Sequence, residues 1–180
     1  LLISDQGDND RIAIEIEEAK QMGIEVLPPH INESFKDFTV VEDKTIRFGL
    51  LTIKNVGENI VEAIIAEREA NGPYQNLEDL LKRVNDKDLN KKSIEGLTKS
   101  GALDIFEERG QILGNIEKLL AFSKTCQREQ SSGQKSLFAN STIDVSLKLD
   151  EAYPIEDRQK LLWEKELLGV YISKHPIEEF

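Results

Sequence analysis

The sequence predicts a mainly α fold with small β elements. Apolar residues recur at helical spacing through most of the chain, and the helices that they indicate are short and joined by short turns. Extended apolar runs are short, and residues 38–41 and 45–48 flank a tight polar loop, as the two strands of a β-hairpin do. A 39% share of hydrophobic residues with interspersed charges is typical of a soluble globular chain.

Residues 1–35 are predicted to be the closing βαβ-type piece of a larger domain. Residues 1–4 are an apolar run typical of a short buried strand, and a polar turn follows them. Apolar positions at helical spacing from Arg11 predict a helix that Gly23 ends. Residues 24–27 then predict a second strand, which a pair of prolines ends.

Residues 36–126 are predicted to combine the β-hairpin with a helical module. Asparagine, glycine and proline mark the positions where the helices begin and end. The predicted helices are residues 58–68, a short helix capped by Asn76, about residues 90–100, and about residues 108–126.

Residues 127–150 are predicted to be a mobile linker, because they are polar and poor in apolar side chains. One isolated hydrophobic pair, Leu137 and Phe138, lies inside this stretch. Residues 151–180 are predicted to form a helix that Gly169 ends, followed by a strand at residues 170–173.

Composition limits the classes of function. Cys126 is the only cysteine, which excludes an internal disulfide and a thiolate metal site and fits a reducing cytoplasm. The net charge of -11 argues against bulk electrostatic coating of nucleic acid, so any DNA contact is expected to be local. No apolar run approaches the ~20 residues that span a bilayer. Because the sequence opens at Leu1 without an initiator methionine, we expect a piece of a longer protein.

No constellation of residues predicts catalysis within this chain. His30 and His175 lie at opposite ends, each beside a proline, and are interpreted as loop histidines. The acidic group Asp5, Asp8 and Asp10 lacks the spacing of a calcium loop and is interpreted as helix capping. A phosphate-binding glycine loop and a nucleophile elbow are both missing from the sequence. We therefore expect no catalytic residue, metal ligand or cofactor here, and a metal-dependent nuclease is disfavoured.

Residues 50–65 carry the first functional motif. They resemble a helix-hairpin-helix, in which a short helix, a tight hairpin and a second helix pack around one turn. Glycine lets such a hairpin approach a phosphate, and N–H groups at the start of the second helix point at the anion. The predicted DNA-contacting residues are Lys54, Asn55, Val56, Gly57 and Asn59.

Asn55 stands where the helix-hairpin-helix pattern has its first glycine. Asparagine tolerates the left-handed conformation better than other non-glycine residues, so we expect the turn to form. Lys54 supplies local positive charge, and Glu58 in the following helix opposes it. The alternative interpretation is an ordinary packing corner between two helices.

The second motif lies in the predicted linker. It is similar to the pentapeptide that binds the bacterial sliding clamp, which has Gln, two variable positions, then Leu-Phe. Its residues are Gln134, Lys135, Ser136, Leu137 and Phe138. Gln134 is the expected polar anchor, and the two apolar side chains are expected to fill a pocket of the clamp. Alternatively, the apolar pair packs back on neighbouring helices.

Together with these motifs, further segments resemble the alpha subunits of bacterial DNA polymerase III, the replicative polymerases of the C family. The order and spacing of these segments match over essentially the whole chain. They are residues 22–32, 46–50, 53–57, 89–95, 100–104, 134–138 and 163–171, with His175 and Pro176.

The resemblance implies the end of the fingers domain, followed by the helix-hairpin-helix, the clamp-binding region and the approach to an oligonucleotide-binding fold. The parent would be a DNA-directed DNA polymerase with Mg²⁺ on aspartates that lie upstream of Leu1. The implied partners are double-stranded DNA, the sliding clamp (beta subunit), the remaining polymerase domains and other replisome subunits, in the cytoplasm and without a membrane. The alternative is a structural connector between polymerase domains with no direct DNA contact.

Overall fold

The computed structural model describes residues 9–84, 86–131 and 146–173. Over these residues the chain is mainly α with a small sheet, which confirms the predicted fold class. The helices are α1 (Asn9–Gln21), α2 (Glu58–Asn71), α3 (Leu77–Arg83), α4 (Lys91–Lys99), α5 (Arg109–Gly114), α6 (Ile116–Ser131) and α7 (Asp157–Leu168). The strands are β1 (Glu25–Leu27), β2 (Thr39–Glu42) and β3 (Thr45–Arg47), and a short 3-10 helix covers Leu50–Thr52.

The sheet has the order β1-β3-β2. β2 and β3 pair antiparallel, which confirms the predicted hairpin, and Lys44 in its loop has a φ of 63°. β1 lies parallel to β3 on the other side, with Val26 opposite Ile46. The strand from the first predicted region therefore joins the hairpin of the second region. Residues 1–8, which include the predicted first strand, lie outside the described residues.

A continuous apolar core joins the sheet to the helices, and α2 contributes its centre. Ile60, Val61 and Ile64 are fully buried, as their helical spacing predicts. Arg68 on the same helix is also buried, and its Nη1 donates to the carbonyl oxygen of Ile31 at 2.8 Å. A buried charged group needs such a partner, so this bond fixes α2 against the loop after β1.

The helix predicted at about residues 108–126 is in fact two helices. α5 ends at Asn115, whose side chain donates to the carbonyl oxygens of Gln111 and Asp150 and accepts from the Asp150 N–H. A residue that binds a distant segment in this way interrupts the helical ladder. α6 then continues past Cys126 to Ser131, so the first residues of the predicted linker are helical.

The end of the predicted linker is also held in place. Residues 147–155, here called the strap, form no helix or strand and are bound to α5 by hydrogen bonds. Gln111 Nε2 donates to the Asp150 carbonyl at 2.7 Å, and the Ile155 N–H donates to Glu108 Oε1 at 3.0 Å. A β-carbon on Gly110 would lie only 2.1 Å from the Tyr153 carbonyl oxygen, so glycine is what admits the strap. Within the range predicted as a linker, the structure therefore places residues 127–131 in α6 and residues 147–150 in the strap.

The strand predicted at residues 170–173 does not form. Gly169 ends α7 with a left-handed φ of 80°, as expected. The N–H groups of Ile172 and Ser173 then donate to Glu164 Oε2, at 3.0 and 3.1 Å. Because a buried carboxylate takes these N–H groups, no neighbouring strand is needed to satisfy them.

Residues on either side of the range 132–145 bind the same helix, α3. Gln130 Nε2, near the end of α6, donates to the Lys82 carbonyl oxygen at 2.9 Å. The Leu147 N–H, at the start of the strap, donates to Glu78 Oε2, also at 2.9 Å. Residues 132–145, including the clamp-type pentapeptide, lie between these points and outside the described residues.

Candidate nucleic-acid interface

The hairpin between the 3-10 helix and α2 has a buried base and an exposed tip. Ile53 and Val56 are buried at 1% and 5% exposure, and they anchor the turn in the core. Lys54, Asn55 and Gly57 between and after them are exposed. Val56 is the one predicted contact residue whose side chain is buried, so Val56 presents its backbone, and not its side chain, at the tip.

Asn55 adopts the left-handed conformation that the glycine pattern requires, with a φ of 70°. Glycine takes this conformation without a steric penalty, and asparagine takes it more readily than other residues with a β-carbon. The predicted turn is therefore confirmed with asparagine in the glycine position. The backbone reverses here and directs the chain into the first turn of α2.

The N-terminus of α2 has no side-chain cap. Its N-cap residue is Gly57, and the N-cap of α7 also makes no side-chain cap bond, whereas the N-cap residues Asn76 of α3, Asn90 of α4 and Glu108 of α5 accept bonds from backbone N–H groups. The first N–H groups of a helix lack intrahelical acceptors, and the helix dipole makes this end positive. Exposed Gly57, Glu58 and Asn59 thus present backbone donors where an anion is favoured.

Two later helices support the hairpin from behind. The Lys54 N–H donates to the Leu167 carbonyl oxygen at the end of α7, at 3.0 Å. On α4, a β-carbon at Gly96 would lie 2.9 Å from Val56 Cγ2 and 3.1 Å from the Lys54 carbonyl oxygen. The sequence analysis missed both supports, although a glycine inside a helix is a signal of close packing.

The charge of Glu58 at the hairpin is countered by a residue that the sequence analysis also missed. Lys36 Nζ forms ion pairs with Glu58 and with Glu62, the latter at 3.3 Å. Hydrogen bonds to Glu58 and then Glu62 raise the pKa of Lys36 above its ordinary value. Lys36 therefore offsets part of the negative charge by which Glu58 was predicted to oppose Lys54.

The hairpin tip borders a depression of about 250 Å³. Asn55, Gly57 and Asn59 line one side, and the loop before α4 with its first turn lines the other through Asp88, Asn90 and Ser93. The surface around the tip is therefore polar and includes the carboxylate of Asp88, which shares a hydrogen bond with Asn59.

The two histidines and the clamp-type pentapeptide were also considered from the sequence. His30 Nδ1 accepts the Asn32 N–H at 3.1 Å, and this bond stabilises the loop after β1. Burial lowers the pKa of this histidine. Residues 134–138 and His175 lie outside the described residues. Within the described ranges, no three metal-ligating side chains converge. The helices of those ranges are also too short or too polar to cross a bilayer.

Comparison with known proteins supports the interpretation of the hairpin. The family described as "Helix-hairpin-helix motif" matches residues 23–112. The DNA polymerase III subunit alpha of Thermus aquaticus is 42% identical over 98% of this chain, and those of Chlamydia pneumoniae and Borreliella burgdorferi are 38% identical over 99%. The chain spans only 14 to 16% of these relatives' lengths. This chain belongs to the helix-hairpin-helix motif family and is homologous, over nearly all of its residues, to a segment of bacterial DNA polymerase III alpha subunits.

Proposed function

We propose that this chain is the part of a DNA polymerase III alpha subunit that holds duplex DNA by its phosphate backbone during replication. The observation that carries the proposal is the exposed hairpin, in which left-handed Asn55 leads into an α2 N-terminus without a side-chain cap. Lys54 at the tip adds a cation, and the backbone N–H groups add directed donors. Such contacts position DNA without reading its sequence.

The acidic character of the chain fits a local contact of this kind. With a net charge of -11, long-range attraction to DNA is weak, so a few directed phosphate contacts must provide the affinity. The pairing of Lys36 with Glu58 supports this, because it reduces the repulsion between a phosphate and the first turn of α2.

Residues Gln134 to Phe138 are proposed to attach the polymerase to the sliding clamp. A tether of this kind raises the effective concentration of the polymerase at its template, so a weak peptide contact is sufficient for processive synthesis. DNA synthesis itself, with Mg²⁺, is assigned to the remaining domains of a longer cytoplasmic protein. Other replisome subunits are partners of that whole protein.

Fluorescence anisotropy with a labelled duplex tests the DNA contact. Lys54→Ala is expected to weaken binding and to reduce the slope of log affinity against log salt by about one, because one phosphate contact is lost. The matched control is Lys124→Ala, which removes an exposed lysine from α6. Equal affinities for Lys54→Ala and the unsubstituted chain would refute the proposal and favour a structural connector.

Binding to purified bacterial sliding clamp tests the tether. Replacement of Gln134, Leu137 and Phe138 together by alanine is expected to abolish micromolar binding, which corresponds to ~8 kcal/mol. The matched control replaces Lys135 and Ser136, the two variable positions, by alanine and is expected to retain binding. Loss of binding in both variants, or in neither, would contradict the assigned roles.

A further inference from the structure

Asp88 is a carboxylate held beside the proposed phosphate contact by a separate part of the chain. Its Oδ2 accepts a hydrogen bond from Asn59 Nδ2 at 3.0 Å, although the two residues are 29 positions apart. Asn59 is in the first turn of α2, and Asp88 is in the loop between α3 and α4. This pair therefore joins the hairpin to the start of α4.

The loop holds Asp88 in position through its own hydrogen bonds. The Asp88 N–H donates to Asp86 Oδ1 at 2.7 Å, and its carbonyl oxygen accepts from Ser93 Oγ at 2.8 Å. Ser93 is in turn part of the capping box of α4 with Asn90. Because the backbone is fixed on both sides, the carboxylate has little freedom to leave the hairpin.

The two carboxylates near the hairpin have different partners. Glu58 is paired with the cation of Lys36, which offsets its charge. Asp88 instead accepts a hydrogen bond from the neutral amide of Asn59, which does not offset its charge, beside Gly57 in the depression. An anion that approaches the α2 N-terminus through this depression meets that charge.

We infer that Asp88 weakens the hold of the hairpin on DNA phosphate through its charge. This inference rests on the proposed function of the hairpin. Sequence-independent phosphate contacts let a protein slide along DNA, and a contact opposed by a nearby carboxylate is released more readily. Asp88 thus sets the strength of the contact.

Asp88→Asn tests the inference, since asparagine keeps the shape and an acceptor for Asn59 but removes the charge. Affinity for a labelled duplex is expected to rise about two- to threefold at low salt, the effect of one charge several ångströms from a phosphate in water. The ratio of the affinity of Asp88→Asn to that of the unsubstituted chain should fall towards one as the salt concentration rises, because screening weakens the repulsion. Asp88→Ser, a second neutral replacement, should show a similar gain.

The control variant is Glu17→Gln, which removes an exposed carboxylate from α1, a helix that packs against β1. Its affinity should equal that of the unsubstituted chain. Unchanged or weaker binding by both neutral Asp88 variants, with Lys54→Ala still weakening binding, would overturn the role of Asp88 alone. If Lys54→Ala also binds as the unsubstituted chain does, the proposed DNA contact itself fails.

Discussion

The backbone N–H of Lys54 donates to the carbonyl oxygen of Leu167 across 3.0 Å and ties the hairpin tip to the last turn of α7. Gly96 lets α4 approach the same turn closely. Two helices that come later in the chain, α4 and α7, therefore support the exposed tip. A binding site gains affinity when its supporting elements hold its geometry before the ligand binds.

We expect Leu167→Ala to destabilise the fold by about 2–5 kcal/mol, because Leu167 is 3% exposed and its truncation leaves a cavity in the core. Leu162→Ala on the same helix is the control, since that side chain is 50% exposed and its loss should cost less than about 0.5 kcal/mol. Urea unfolding measures both changes. Equal effects would show that α7 does not pack on the core as described.

Gly96→Ala should destabilise the chain even though alanine favours helices more than glycine by about 1 kcal/mol. The new β-carbon would contact Val56 Cγ2 at 2.9 Å, and overpacking of this kind costs about 1–3 kcal/mol. Thermal unfolding measures the net effect. Glu95→Ala, on the neighbouring position of α4, should change stability by less than about 0.5 kcal/mol. A higher unfolding temperature for Gly96→Ala would contradict the close contact.

Substitutions at Asn55 test the left-handed turn. Asn55→Ala should lower the free energy of unfolding by about 1 kcal/mol, because alanine adopts a φ near 70° less readily than asparagine. Asn55→Gly removes that penalty and lets a phosphate approach the backbone more closely. We expect it to retain stability and to bind duplex DNA at least as tightly. Urea unfolding and fluorescence anisotropy distinguish these outcomes.

The attachment of the strap should weaken in acid. Hydrogen bonds from Lys82 and from the Leu147 N–H lower the pKa of Glu78. Burial alone would raise the pKa of Glu108, but the N–H groups of Ile155, Gly110 and Gln111 with Lys160 lower it overall. A carboxyl whose pKa falls on folding stabilises the fold above its unfolded pKa, near 4.5, and loses this contribution as pH falls through the folded pKa.

Unfolding by urea at a series of pH values between neutral and about 3 measures this loss. Glu108→Gln should be less stable than the unsubstituted chain at neutral pH and should show a shallower decline below pH 4.5, because one of the titrating groups is gone. An identical decline in both proteins would indicate that Glu108 does not carry the pH dependence.

Local signals predicted much of this fold. The cap at Asn76, the left-handed turn at Asn55 and the stop at Gly169 depend on residues within a few positions of one another, and all were predicted correctly. The helix break at Asn115 was not predicted, because Asn115 bonds to Asp150, which lies 35 positions further along the chain. An asparagine inside an apolar helical pattern does not reveal whether its amide binds water or a distant backbone.

The same distinction applies to the candidate interface. Residues at the hairpin tip were predicted from their resemblance to a helix-hairpin-helix, whereas the charged residues Lys36 and Asp88 come from separate loops. Charged residues are common on protein surfaces, so their sequence positions do not show which of them face the hairpin. Pairing between β1 and β3 escaped prediction for a related reason, since parallel partners are never adjacent in the chain.

Two hydrogen bonds on α3 hold the described residues on either side of residues 132–145. Gln130 in α6 donates to the Lys82 carbonyl oxygen, and the Leu147 N–H of the strap donates to Glu78. These two acceptors lie four positions apart, about one helical turn, on a helix whose leucines are buried in the core. If a clamp binds the pentapeptide, as proposed, the mechanical load on both flanks passes into the core through α3.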